Sequence, residues 1–187
     1  MIIKKIFSDV SYIEPEIYKD DRGSFSEIFN QELFKKNNLK INYIQDNFSF
    51  SELKNTIRGL HFQKKPFEQT KLIKVINGSI FDVFVDIRKG SPSFGKWGGY
   101  ELSENNGYQL FIPEGFAHGF ITLENNCEIV YKCTRYYSPE SEGSLLWNDP
   151  VIGIEWPRVG VAVLSSKDAN APLFSDFESP FIYGESV

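Results

Sequence analysis

The chain holds only two histidines, His61 and His118. Histidine is the side chain best suited to exchanging protons near neutral pH. His61 sits in the run Arg58-Gly59-Leu60-His61-Phe62-Gln63. On a strand, His61 and Gln63 share a face, because successive side chains alternate. Arg58 lies just upstream, and Lys71 is placed to approach from the next strand. A base flanked by cations suits a substrate that develops negative charge, and an enolate is such a species. A lone histidine is more often a hydrogen-bonded structural residue; the cationic neighbourhood is what raises His61 above that reading. Other chemistries have less support. Neither cysteine has a histidine nearby in sequence, and no Gly-x-Ser-x-Gly elbow appears. No Walker or Rossmann glycine loop is present either. A diphosphate must then be held by side chains, with Arg22, Arg58 and Lys71 as candidates.

Strands must position these groups. Aromatic residues make up 16% of the chain, with 17 Phe and 9 Tyr, which favours β structure. Two alternating runs, Lys71 to Ile76 and Ser79 to Arg88, meet at Asn77-Gly78, which predicts a hairpin with a type I′ turn. Further strand-like runs are Tyr43 to Phe50, Thr56 to Gln63, Trp97 to Leu102, Gln109 to Ile112, Gly119 to Leu123 and Glu128 to Tyr136. Helical signal is scarce. Asn30 is placed to cap a short helix from Gln31 to Lys36, and Ser166 a turn around Lys167-Asp168-Ala169. The expectation is an all-β sandwich or jelly roll with a few short helices.

The length of 187 residues fits one domain, 1–187, with a sizeable core. A net charge of −5 gives no basic footprint for nucleic acid. No apolar stretch approaches a membrane span, and Met1 to Phe7 does not read as a signal peptide. Cys127 and Cys133 fall at even spacing in one strand, so a disulfide would demand a sharp bend. They are expected to be reduced thiols in a cytoplasmic protein.

His118 lies in Pro113-Glu114-Gly115-Phe116-Ala117-His118-Gly119-Phe120, which resembles the second motif of cupins. The His-x-His of the first cupin metal motif is missing, and two histidines cannot make a three-His site. No metal and no cofactor are expected, and His118 is read as a substrate contact or a support to one.

A more specific resemblance runs from Asp21 to about Pro172. Its segments are Asp21-Arg22-Gly23-Ser24-Phe25-Ser26-Glu27, Gln45-Asp46-Asn47, the Arg58–Gln63 run, and Val85-Asp86-Ile87-Arg88 with Ser91-Pro92-Ser93-Phe94-Gly95. The His118 motif, Val130-Tyr131-Lys132, Trp147-Asn148-Asp149-Pro150 and Ser166-Lys167-Asp168 follow in order. Together they resemble the dTDP-4-dehydrorhamnose 3,5-epimerase family. The resemblance implies a homodimeric cupin jelly roll acting on a nucleoside-diphosphate 4-keto-6-deoxy sugar, with dTDP the expected nucleotide and GDP the alternative. It implies His61 as the base, Asp168 as its partner and Tyr131 as the acid on the opposite face. Lys71 and Arg58 would stabilise the enolate oxygen. Arg22, Phe25, Glu27, Gln45 and Asn47 match nucleotide- and phosphate-holding positions, and Tyr137 and Lys167 match substrate contacts.

Plainer readings exist for several of these. Asp168 alone would read as a helix-start acid, and Tyr131 as one of many strand aromatics. Glu27 and Asn47 would read as surface or turn residues. Asp86 with Arg88 is expected to be a buried structural pair, and Trp147 to Pro150 a turn and packing element. Between Asn47 and Arg58 the chain is one residue longer than the family pattern, with Asn55 near the family's Gly; Asn tolerates the left-handed conformation that a turn needs there. Competing functions are an enzyme that epimerises C3 alone, one acting on another 4-keto sugar such as a GDP-linked heptose, a non-catalytic sugar-nucleotide-binding cupin, and a metal cupin oxygenase or isomerase.

Overall fold

The computed structural model describes residues 1–39, 41–157 and 160–184. Its strands are β1 (Ile2–Phe7), β2 (Val10–Glu14), β3 (Ile17–Asp20), β4 (Gly23–Ser26), β5 (Gln45–Ser51), β6 (Ile57–Gln63), β7 (Lys71–Asn77) and β8 (Ser79–Asp86). They continue with β9 (Arg88–Lys89), β10 (Trp97–Ser103), β11 (Gln109–Ile112), β12 (Phe116–Thr122), β13 (Cys127–Cys133), β14 (Glu142–Ser144) and β15 (Phe181–Ile182). Two short helices, α1 (Gln31–Lys36) and α2 (Ser166–Ala169), interrupt the series. One antiparallel sheet has the order β1-β2-β11-β7-β13-β5, the other β10-β8-β12-β6-β14. This is the expected all-β jelly roll. None of the described helices is long and apolar enough to cross a membrane.

Alternation along the strands builds the layers. Ile73 and Val75 of β7 meet Ile80 and Phe84 of β8 across the space between the sheets, with Leu110, Phe120 and Ile129 around them. The opposite face of the five-stranded sheet is covered by Leu145, Ile152 and Phe181, packed on Leu60, Phe62 and Val85. That double cover explains why β8 is buried along nearly its whole length. On the six-stranded sheet, α1 lays Phe34 over Ile13, Leu72 and Phe111. Asn30 caps α1 as expected, its Oδ1 accepting the Glu32 and Leu33 amides at 3.0 and 3.2 Å. Both cysteines are buried and free.

Several expectations need correction. Asn77-Gly78 does not close a hairpin: β7 pairs with β11 and β13, while β8 pairs with β10 and β12. The two runs face each other across the core, so the dipeptide is a corner between sheets. Gly78 has φ +79°, and a Cβ there would lie 2.8 Å from Cys127 Sγ. The strand predicted through Arg88 stops at Asp86, whose carboxylate accepts the Arg88 amide at 2.9 Å and the Ser91 and Ser93 hydroxyls at 2.7 Å each. Asp86 and Arg88 form the expected structural pair at 2.7 Å. Ser165, not Ser166, caps α2, accepting the Asp168 amide at 3.1 Å. β5 begins at Gln45 rather than Tyr43, β12 at Phe116 rather than Gly119, and β13 ends at Cys133. The short or half-exposed strands β1 to β4, β14 and β15 went unpredicted. Asn55 does take the left-handed conformation, with φ +63°.

One irregularity matters for the site. His118 pairs with His61 and Phe120 with Arg58, so two steps on β12 match three on β6. The extra residue makes a bulge at Gly59, where φ is +114°. A Cβ on Gly59 would lie 2.6 Å from Gly119 Cα and 2.6 Å from the His118 carbonyl oxygen. We therefore expect Gly59→Ala to destabilise the protein by about 3 kcal/mol or more in urea unfolding. Gly90→Ala also has positive φ (+84°), but nothing lies within 4 Å of the added carbon. It should lose only about 1–2 kcal/mol. Equal losses would show that backbone conformation, not the close approach of β6 to β12, is what Gly59 supplies.

Candidate active site

Regular alternation would put Arg58 and His61 on opposite faces of β6, because they are three residues apart. The Gly59 bulge cancels that. Arg58 and His61 both line one cavity, while Leu60 packs in the cluster on the other face. The cavity has two lobes, of about 370 and 550 Å³, which share His61, Lys71 and Tyr131. His61 comes from the five-stranded sheet, Lys71 and Tyr131 from the six-stranded one. Lys71 thus reaches His61 from the opposite sheet, not from a neighbouring strand.

His61 Nε2 is 2.6 Å from Asp168 Oδ1. The Asp168 side chain is 5% exposed, and that of His61 is 29% exposed toward the cavity. Burial works against the Asp168 carboxylate. Its bonds from His61, Ser165 and the Gly59 amide outweigh that and hold its pKa below the ordinary value of 3.8. With Nε2–H donated to the carboxylate, Nδ1 is the basic nitrogen, a tautomer assigned from the hydrogen bond. His118 is held in the same way, its Nε2 2.6 Å from Oδ1 of the fully buried Asp82. It lines the second lobe beside Arg58, Lys167 and Asp168.

Burial acts on the other wall in opposite senses for two groups. It raises the Tyr131 pKa, so the phenol stays protonated. It lowers the Lys71 pKa, opposed by Cys133, Asp82 and Glu142. Lys71 has no hydrogen-bond or ion-pair partner among the described residues. A half-buried ammonium without a partner is a place for an anionic group. Arg58 is already tethered, donating to the Phe50 carbonyl at 2.9 Å and Ser51 Oγ at 3.2 Å on β5.

The first lobe is lined by Gln45, Asn47 and Tyr137, as the resemblance implies. Gln45 donates to Asn47 Oδ1 at 2.9 Å and accepts the Tyr137 amide at 2.9 Å. Glu142 was not anticipated. It sits on the three-residue β14 opposite Gln63, and no motif marks it. Its carboxylate accepts from Tyr137 Oη at 2.9 Å and pairs with Lys167 Nζ at 2.5 Å. Burial opposes the Glu142 charge, but Lys167, Tyr137 and His61 together lower its pKa. Gln69, also unanticipated, lines the same lobe. Arg22, Phe25 and Glu27 do not line this cavity. They lie on or just after the two-stranded arm β3–β4, where Arg22 pairs with Asp20 at 2.6 Å and Phe25 is 69% exposed. Among the described residues, no group of three or more His, Cys, Asp or Glu is placed to hold a metal ion.

The Asp168 carboxylate is depressed in the folded state, so it adds stability above its ordinary pKa of 3.8 and loses that as pH falls through the lower folded value. Asp168→Asn should cost about 2 kcal/mol near neutral pH. Urea unfolding from pH 7 to about pH 3 should show the gap to wild type closing at the acid end. A gap that does not change with pH would mean the His61–Asp168 bond is not what the substitution removes.

Residues 4–176 match the sequence profile of the dTDP-4-dehydrorhamnose 3,5-epimerase family. The dTDP-4-dehydrorhamnose 3,5-epimerase of Salmonella typhimurium is 53% identical over 174 residues, 92% of this chain and 94% of that protein. The crystal structure of dTDP-6-deoxy-D-glucose-3,5-epimerase from Legionella pneumophila Philadelphia 1, in complex with dTDP-4-keto-L-rhamnose, is similar at a TM-score of 0.92 and 43% identity, covering 99% of each chain. The dTDP-4-dehydrorhamnose 3,5-epimerase of Bacillus anthracis, with TDP and PPi bound, gives a TM-score of 0.88 at 46% identity over 92% of this chain and 99% of that one. With this geometry and these likenesses, the chain belongs to the dTDP-4-dehydrorhamnose 3,5-epimerase family and is an isomerase, a carbohydrate epimerase.

Proposed function

We propose that this epimerase, one catalytic domain over residues 1–187 working in the cytoplasm, inverts C3 and C5 of dTDP-4-dehydro-6-deoxyglucose to give dTDP-4-dehydrorhamnose. One observation carries the reading: His61 with its carboxylate and the protonated Tyr131 line one cavity from two sheets, together with Lys71, which has no hydrogen-bond or ion-pair partner among the described residues. The 4-keto group acidifies the protons on C3 and C5. His61 Nδ1 takes one proton, and the C–H electron pair moves toward C4 while the carbonyl electrons move onto oxygen. Lys71 and Arg58 stabilise that oxyanion. Asp168 stabilises the imidazolium and keeps the ring in place. Tyr131 then donates its phenolic proton from the opposite side, and the oxygen electrons return to re-form the ketone; the imidazolium gives its proton to solvent and the phenolate takes one back before the second centre is inverted. The adjacent ketone stabilises the carbanion, so this sequence calls for no metal or cofactor. His118, fixed by Asp82, contacts the sugar. Gln45, Asn47, Tyr137 and Lys167 hold the nucleoside diphosphate.

The arm residues Arg22, Phe25 and Glu27 complete the nucleotide site of a second chain in a homodimer. Two features support this. The arm exposes Tyr18 and Phe25, which are 54% and 69% exposed. The edge strand β5 turns Gln45, Asn47 and Ser49 inward and leaves Phe48 and Phe50 63% and 47% exposed.

Incubation with dTDP-4-dehydro-6-deoxyglucose in D₂O should place deuterium at both C3 and C5. Exchange at C3 alone would reduce the activity to a monoepimerase, and no exchange with any 4-keto sugar nucleotide would sink the enzymatic reading. His61→Asn and Tyr131→Phe should each lower kcat by about 10²–10⁴-fold. The shared site has its own test. A mixture of His61→Asn and Arg22→Ala/Phe25→Ala chains, unfolded and refolded together, should regain activity that neither parent shows. If the arm serves its own chain, every site in the mixture carries a defect and no activity returns.

A further inference from the structure

A second cavity, of about 750 Å³, lies apart from the one described. The segment leading into β7 separates them. Gln69 and Lys71 line the first lobe of the His61 cavity, and the alternate residues Glu68 and Thr70 line the second cavity. Glu68 is 6% exposed, and among the described residues its Oε2 has no hydrogen-bond partner. A buried carboxylate oxygen without a donor is costly, and proteins rarely leave one so.

The surroundings specify what would satisfy it. Among the described residues, three carboxylates line the cavity, Asp9, Glu68 and Glu114, against two cations, Lys5 and Arg135. Lys5 is taken by Asp9 at 3.0 Å, and Arg135 Nη1 donates to the Thr134 carbonyl at 3.3 Å. Asp9 is further held by Arg88 at 2.6 Å, and Glu114 accepts the Thr70 hydroxyl. Among the described residues, Glu68 is left as the carboxylate without a partner. The described residues do not assemble three metal ligands here, so the site does not suit a metal ion. The apolar side chains of Ile3, Leu39 and Phe111 line the same space and suit a carbon skeleton.

We propose that this cavity binds a small aliphatic ammonium compound, its charged nitrogen on Glu68 and its carbon chain against Ile3, Leu39 and Phe111. The site is independent of the epimerase reaction, and nothing in the catalytic cavity is needed for it.

Calorimetric titration with putrescine, at constant ionic strength, tests the proposal. 1,4-Butanediol serves as the uncharged counterpart and MgCl₂ as the inorganic one. Saturable binding of putrescine is expected, with at least about tenfold weaker binding of the diol. Glu68→Gln should weaken putrescine by about tenfold or more and leave dTDP binding, measured on the same samples, unchanged. Absence of saturable putrescine binding overturns the proposal, as does diol binding of equal strength, tighter binding of Mg²⁺, or undiminished binding by Glu68→Gln. The dTDP measurement on wild type tests the epimerase reading separately, so either can fail alone.

Discussion

The site depends on one extra residue in β6. A strand with strict alternation cannot place side chains three residues apart on the same face. Arg58 and His61 have that spacing, and both line the cavity because Gly59 is inserted between them as a bulge opposite β12. The insertion is possible only where two backbones come close, and both facing residues, Gly59 and Gly119, lack a Cβ. The same bulge reaches His61. The Gly59 amide is bonded to Asp168, which is bonded to His61. Leu60 and Phe62 meanwhile point to the outer cluster and clamp the strand from behind. Arg58, His61 and Asp168 are thus positioned through a single backbone irregularity.

The two sheets divide the cavity's titratable groups between them. His61 is on β6 of the five-stranded sheet, with Asp168 brought to it from α2; Tyr131 and Lys71 are on the six-stranded sheet. A jelly roll normally fills the space between its sheets with apolar side chains, as Ile73, Phe84 and Ile129 do here. At the His61 end that filling is replaced by charge, and burial then tunes each group according to its sign. It favours the neutral, proton-bearing phenol of Tyr131 and disfavours the ammonium of Lys71. A developing enolate or a diphosphate would reverse the penalty on Lys71, so the lysine interacts more strongly as negative charge appears. Preorganised charge of this kind helps the transition state more than the ground state.

Local signals in the sequence reached some of this and not the rest. The Asn30 cap of α1, the shared face of His61 and Gln63, and the left-handed Asn55 were all legible, because each follows from one residue and its neighbours. The Asn77-Gly78 turn was misread because a hairpin and a sheet-to-sheet corner both need positive φ at glycine; which one forms depends on the partners of β7 and β8 far along the chain. Glu142 was invisible for a related reason. Its meaning lies in Tyr137 and Lys167, which the fold brings to it from a neighbouring loop and from α2. The placement of Arg58 beside His61 was expected from type and proximity, but the bulge that makes it true leaves no mark on periodicity beyond a single glycine.

The edge strand β5 joins the site to the proposed assembly. Most strands on a sandwich turn apolar residues inward and polar residues outward. In β5 the order is reversed: Gln45, Asn47, Ser49 and Ser51 face in, and Phe48 and Phe50 face out. The inward polar row is what the cavity requires, since Gln45 and Asn47 line it and Ser51 anchors Arg58. The outward row also carries Asp46, and of its two aromatics Phe48 lines the second lobe of the cavity. Phe50 does not line it, so its ring has a separate cause, and an edge strand with exposed aromatics is a surface that favours a cover. The arm β3–β4 likewise exposes aromatics, Tyr18 and Phe25, and Arg22, Phe25 and Glu27, on or beside it, do not line the cavity of their own chain. In the homodimer proposed above, a second copy would cover Phe50 and supply those residues in one step, so that completing the binding site and burying the edge would become a single requirement on the sequence.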